Sequence, residues 1–190
     1  MQKRLVIPPA NEPVTVEEVK LHTKIEYDIE DKLLETWITS IREIIESSWG
    51  KACITQTWEL IFDAFPRLPI EFPRSPVQLV ETVSYFDADG NEHEIALPNF
   101  FVDTDSECGR LGFAHGQGWP TGVELRPMNA VKIQFTAGLG DDGTTTPSAV
   151  KDAIMLYCAW RNQNRAAEKE KDQIPLQVYS LVRSVWGVRV

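Results

Sequence analysis

One segment limits what this chain can fold into more than any other: EDKLLETWITSIREIIESSW, residues 30–49. Leu33, Leu34, Trp37, Ile38, Ile41, Ile44, Ile45 and Trp49 recur at three- and four-residue steps. That period places them on one stripe of an α-helix, with Glu35, Thr39, Arg42, Glu43 and Glu46 turned away from it. Asp28 stands where a capping side chain belongs, and Gly50 follows as a left-handed C-terminal stop. Burying eight large apolar side chains is worth about 15 kcal/mol before chain entropy is subtracted. A helix like this must be covered, so the remaining elements are read as its cover or as a separate layer.

Ahead of it, Pro8, Pro9 and Pro13 keep residues 1–13 as an extended arm. Thr15-Val16-Glu17-Glu18 spells a capping box that opens a short helix to about Thr23. After Gly50 the apolar period changes to two, predicting a strand over 54–62. Prolines 66, 69, 73 and 76 leave room only for a short edge strand at 70–72. A strand over 77–86, a turn at 87–91 and a returning strand over 92–97 make a hairpin. Further strands are expected at 100–103, 109–113 and 130–137. Helix resumes at Thr146-Pro147, a cap followed by proline, and runs to about Arg165. Residues 153–160 are apolar nearly all round, so one side can cover the long helix while the other, with Trp160, needs a second partner. A charged link at 166–172 leads to a last amphipathic segment carrying Leu176, Tyr179, Leu181, Val182 and Val185. The chain ends on Trp186-Gly187-Val188-Arg189-Val190. The fold class is therefore α+β. A helical core from residues 14–50 and 146–190 carries a large antiparallel β insertion at 51–145.

Charge narrows the function. A formal net charge of −9 argues against a general nucleic-acid binder, which needs a basic patch. Residues 1–149 hold 12 basic and 24 acidic side chains, net −12, whereas residues 150–190 hold 7 and 4, net +3. Such polarity can help like subunits pack head to tail, or simply give solvated faces of opposite bias. Cys53, Cys108 and Cys158 are odd in number and never in a CxxC pair, against a disulfide framework or thiolate metal site. Leu5, Val6 and Ile7 before two prolines are too few for a signal-peptide core, and the longest apolar run is too short to span a membrane. A cytosolic chain is expected.

Motifs with chemistry are sparse. Gly138-Leu139-Gly140-Asp141-Asp142-Gly143 fits GxGxxG, but Asp141 and Asp142 would repel a pyrophosphate and no second parallel strand follows the helix. Asp103-Thr104-Asp105-Ser106-Glu107 opens like a calcium loop, yet Cys108 takes the place of the required glycine and Ala114 that of the bidentate glutamate. His22, His93 and His115 lack metal-ligand spacing, and there is no GxSxG elbow. No catalytic, cofactor or metal residues are assigned, and a non-enzyme is expected. Trp119 lies in a glycine-rich loop at 114–126, placed either to stack on a sugar or partner protein or to fold back over the sheet. The apolar tail points to a surface filled by another subunit. The candidate interface residues are Tyr179, Leu181, Val182, Val185, Trp186, Val188 and Trp160.

Several stretches taken in order resemble the head–tail connector (adaptor) proteins of tailed bacteriophages and prophages. They are Pro13-Val14-Thr15, Ile54-Thr55-Gln56-Thr57-Trp58-Glu59-Leu60, Asp87-Ala88-Asp89-Gly90 and Trp119-Pro120. Phe135-Thr136-Ala137-Gly138-Leu139-Gly140, Pro147, and residues 160–165 complete the set. The resemblance implies a structural protein of the virion neck, made in the host cytoplasm. It implies a closed, twelve-fold ring beneath the portal, which meets the portal protein and the next tail component and passes DNA through its lumen unread. An acidic lumen would let the duplex slide. Smaller family members are nearly all helical, so the β block is a departure. The alternative is a β-rich binding module that recognises carbohydrate or a protein partner.

Overall fold

The computed structural model of the protein describes residues 1–165 and 174–187. The charged link at 166–172 and the terminal Val188, Arg189 and Val190 lie outside the described residues. The chain is α+β and divides into two compact units, Met1–Ala10 with Thr55–Gly138, and Asn11–Ile54 with Leu139–Val190.

The second unit is helical. Its elements are α1 (Val16–Thr23), α2 (Asp31–Trp49), α3 (Ser148–Gln163) and α4 (Leu176–Trp186). The expected capping box opens α1: Glu18 N–H donates to Thr15 Oγ1 at 3.2 Å, and Thr15 N–H donates to Glu18 Oε2 at 2.8 Å. Asp28 does not cap α2. Its carboxylate is taken by Lys20, and Glu30 occupies the cap position without a side-chain bond. A nearby lysine outcompetes the orphan backbone N–H groups for that carboxylate. At the other end Gly50 sits at φ 65°, the left-handed stop its position predicts. Proline is the last residue before α3, and the Thr146 hydroxyl is buried with no hydrogen-bond partner, so it is not the expected cap.

Leu34, Ile38, Ile41 and Ile45 of α2 are buried against Val150, Ile154, Tyr157 and Cys158 of α3 and Val178 and Val182 of α4. Thus α4 supplies part of the second cover that the two-sided α3 requires. Two expectations about the stripe are corrected. Leu33 is 39% exposed, and Arg42 and Glu46, placed on the outer face from the sequence, are 5% and 2% exposed. Arg42 Nε donates to Glu12 Oε2 at 2.7 Å and Nη1 to Glu46 Oε2 at 3.0 Å, while Glu46 Oε1 accepts from Cys53 N–H at 2.8 Å. Thr39 also donates to Glu12, at 2.9 Å. Burial opposes the guanidinium charge, and the Glu12 bonds with the Glu46 carboxylate outweigh it, so the Arg42 pKa rises.

The first unit is all β in its regular elements apart from a 3-10 turn, Leu97–Asn99. Its strands are β1 (Gln2–Ile7), β2 (Gln56–Phe62), β3 (Ile70–Glu71), β4 (Val77–Phe86), β5 (Glu92–Glu94), β6 (Phe100–Asp103), β7 (Arg110–Phe113) and β8 (Val131–Ala137). One antiparallel sheet runs β1-β2-β8-β4-β5 and the other β3-β7-β6. The N-terminal arm is thus an edge strand: β1 pairs with β2, with Arg4 opposite Glu59. On one face of the larger sheet Trp58 and Leu60 stand opposite Phe135 and Ile133. The ring of Phe72, next to β3, lies 4.5 Å from that of Phe135 and is buried with it. The opposite face is polar but internally satisfied. Glu81 accepts from Thr57, Gln134 and Thr136, and Glu59 pairs with Arg4 at 2.7 Å and Lys132 at 3.9 Å. Buried polar groups persist where partners are present, as here.

At the β4–β5 turn Asp87 accepts from Asn91 N–H at 2.9 Å and meets His93 Nε2 at 2.7 Å. The His93 bond first, and the Asn91 N–H second, hold the Asp87 carboxyl at about 2, below its ordinary 3.8. A depressed folded pKa adds stability that is present above the unfolded value and lost as pH falls from about 4 toward 2. Replacing His93 with alanine is expected to move the Asp87 midpoint back up toward 3.8, read from its side-chain carboxyl carbon shift by NMR. An unmoved midpoint would assign the shift to the turn backbone alone.

Glu46→Ala should cost about 3–5 kcal/mol, because it strips a buried guanidinium of one partner and orphans the Cys53 N–H. Glu46→Gln, which keeps the acceptor, should cost about 1–3 kcal/mol. Urea midpoints at constant m-value distinguish the two.

Candidate functional site

The chemistry-bearing motifs resolve into local structure. In the GxGxxG stretch, a Cβ on Gly143 would come within 2.2 Å of the Pro13 carbonyl oxygen, so glycine is needed there for backbone contact. Asp142 closes its own turn by accepting from Thr144 N–H at 2.8 Å, and α3 begins only at Ser148. In the calcium-like stretch Asp103 accepts from Ser106 Oγ and Arg110 Nη2, each at 2.6 Å, and these bonds hold its carboxyl well below the usual range. Its oxygens serve a turn. Among the described residues no group of three or more His, Cys, Asp or Glu side chains is placed to hold a metal ion.

Cys53 and Cys158 are buried and free, and burial pushes both thiols up, Cys158 to about 12. At neutral pH both are thiols and not nucleophilic thiolates. A cleft of about 450 Å³ in the helical unit is lined by Glu12, Val14, Glu18, Ile38, Asp142 and Lys151, among others. Of its four carboxylates, those of Glu12, Glu18, Glu35 and Asp142, three are already engaged. Glu12 is held by Arg42, Glu18 by Lys151 at 3.1 Å and by its cap, and Asp142 by Thr144. A paired-carboxylate acid–base site needs two such groups facing one substrate atom.

Trp119 takes the second of its two expected positions. Its indole N–H donates to the Pro66 carbonyl at 2.7 Å, and Phe65 stacks on the ring at 4.9 Å. Phe113 meets it edge-on at 5.2 Å and Phe100 at 5.5 Å. The indole is half-buried in an aromatic cluster of its own unit, with its donor and one face occupied.

The residues expected to dock a partner fall into three classes. Val182 is wholly buried in the helical core of the chain. Leu181, Trp186 and Trp160 are half-buried and pack against that core, with the Trp160 ring 6.1 Å from Tyr157. Tyr179 and Val185 are exposed, at 36% and 43%, and Leu176, not singled out from the sequence as an interface residue, is 79% exposed. Val188 lies outside the described residues. The periodicity of α4 separates these classes. Val178, Val182 and Val185 follow one stripe, but only the first two are covered. The end of α4 is fixed to the end of α2: the Trp49 indole N–H donates to the Gly187 carbonyl at 2.9 Å, and its ring lies 5.8 Å from Tyr179. The signal for that contact was present as Trp49 beside Gly50, but nothing local names the distant carbonyl.

Among the described residues no helix is long and apolar enough to cross a membrane. No protein-family model matches the chain, and no curated protein sequence matches it either. Solved structures do match in fold. A chain in the virion of a native gene transfer agent particle superposes with a TM-score of 0.79 at 23% identity, covering 100% of this chain and 97% of that one. A chain in the neck of the empty particle, computed with C6 symmetry, gives the same figures. One in the neck of the native particle, computed with C12 symmetry, has a TM-score of 0.76 at the same identity and coverage. At this level of identity the likeness is one of fold.

Val182→Asp should destabilise the protein by more than about 4 kcal/mol, since it buries an unpaired charge. Val185→Asp on the same stripe should cost less than about 1 kcal/mol. Thermal and urea denaturation of the two variants side by side checks this division.

Proposed function

We propose that this chain is a non-enzymatic structural subunit of the neck of a phage-like particle, a head–tail connector. It forms a twelve-fold ring between the portal and the next tail component. The observation that carries the reading is full-length fold agreement with chains in gene transfer agent virion and neck structures, covering 100% of this chain and 97% of those chains. Neck structures computed with C6 and C12 symmetry support a ring of copies. The sequence resemblance to phage adaptors points the same way independently. A net charge of −9 suits a channel through which a polyanion slides without being held. The outer face of α4, with Leu176, Tyr179 and Val185 exposed, is the docking surface for portal or neighbouring subunit. Assembly takes place in the host cytoplasm, and the finished subunit resides in the virion neck.

The test mixes the purified protein with the portal ring of its own particle and images the product by electron microscopy. A twelve-fold collar on one end of the portal is expected. Bare portal rings at protein concentrations well above the micromolar range would overturn the reading. Tyr179→Asp combined with Val185→Asp should leave the melting temperature within a few degrees of the parent and remove the collar. Trp186 is left unchanged in this variant because it packs on the core.

A further inference from the structure

The two edges of the five-stranded sheet are unlike in chemistry. β1 forms one edge, and all six of its residues are exposed, with Lys3 and Arg4 followed by the aliphatic Leu5, Val6 and Ile7. β5 forms the other edge, and its Glu92, His93 and Glu94 are also all exposed. The turn leading into β5 adds Asp87 and Asp89. One edge is basic, the other acidic.

An edge strand presents backbone N–H and C=O groups that can pair with another chain, and folded proteins usually blunt such edges. β5 is blunted by its shortness, but β1 is six residues long with three uncovered aliphatic side chains. Each neighbouring pair in the sheet is antiparallel, so across five strands β1 and β5 run in the same direction. A second copy in the same sense can therefore lay its β1 beside β5 and continue the sheet. Such a contact uses two different surfaces and closes into a ring when the rotation between copies allows. Of the symmetric alternatives, β5 on β5 would bring Glu92 of one copy against Glu94 of the other, whereas β1 on β1, centred and antiparallel, would set Lys3 opposite Val6 and Arg4 opposite Leu5, and the single-cysteine variants below distinguish it. Part of the charge at each edge is engaged within the chain, since Arg4 pairs with Glu59 at 2.7 Å and Glu92 accepts from Ser84 at 2.8 Å.

We infer that neighbouring copies of this chain join by adding the basic edge strand β1 of one to the acidic edge strand β5 of the next. The inference names the subunit contact for the proposed ring and rests on that reading. It is tested with Lys3→Cys and Glu94→Cys together in a Cys108→Ser background, mixed with the portal ring and oxidised. Paired strands bring their Cα atoms to about 5 Å, within disulfide reach. A ladder of disulfide-linked multimers is expected, with each single-cysteine variant giving none beyond a dimer. A collar on the portal without a ladder overturns the edge contact and leaves the ring reading standing. A ladder without a collar keeps the edge contact and overturns the ring reading; neither product overturns both. Dimers from a single-cysteine variant at the yield of the double variant would show symmetric pairing and also overturn the inference. A charge exchange checks the same contact without cysteines. Glu94→Lys alone and Lys3→Glu alone should each lower assembly at least tenfold, and mixing the two should restore it. Failure of the mixture to recover, with both variants folded, counts against the contact.

Discussion

The helical unit depends on one buried charge and the two carboxylates that surround it. Arg42 lies midway along α2, and its guanidinium binds Glu12 before the first helix and Glu46 one turn on. Through Glu46 the same cluster reaches the backbone of Cys53, beyond the helix stop. The segment before the first helix, α2 and the segment beyond its stop are thus tied into one polar cluster. An isolated buried guanidinium would be costly, and each partner here offsets part of that cost while setting the path of its own segment. Apolar packing by α3 and α4 holds the helix from other sides but has no directional groups to say where the entering and leaving chain must run.

That arrangement also shows where the sequence was legible and where it was not. Local signals survived well. The Thr15–Glu18 box, the Gly50 stop and the 77–86 and 100–103 strands all appear at their expected places, because each depends on neighbours a few residues away. Arg42 and Glu46 were misplaced because a period-based reading sends charges outward. Glu12, thirty residues upstream of Arg42, joins Glu46 in offsetting the cost of that burial. From the sequence β1 reads as an arm for a similar reason, since its partner β2 lies far along the chain. Asp28 was a sound cap by type but met Lys20 first. Of the candidate interface, the apolar character of α4 was legible, but not which half of it the protein keeps for itself. Val182 and Val185 look alike in sequence, and only the extent of cover separates them.

The two units divide the proposed work. The β unit saturates its polar sheet face with its own hydrogen bonds around Glu81 and Glu59, and it tucks Trp119 into an aromatic cluster. What remains available on its larger sheet is backbone at the two edges together with exposed aliphatic side chains, Leu5, Val6 and Ile7 on β1 and Leu79 on β4. The helical unit keeps its core closed and leaves large apolar side chains exposed at Leu21, Tyr27, Ile29 and Leu33 and along the outer side of α4. Backbone pairing and side-chain docking are different kinds of contact, and a subunit that offers both can be joined to its own kind by one and to unlike proteins by the other.

The bond from the Trp49 indole to the Gly187 carbonyl has a mechanical meaning. It couples the last turn of α4 to the end of α2, where the chain turns at Gly50 and is retained a few residues later by Glu46, so whatever grips that turn also bears on the longest helix of the unit.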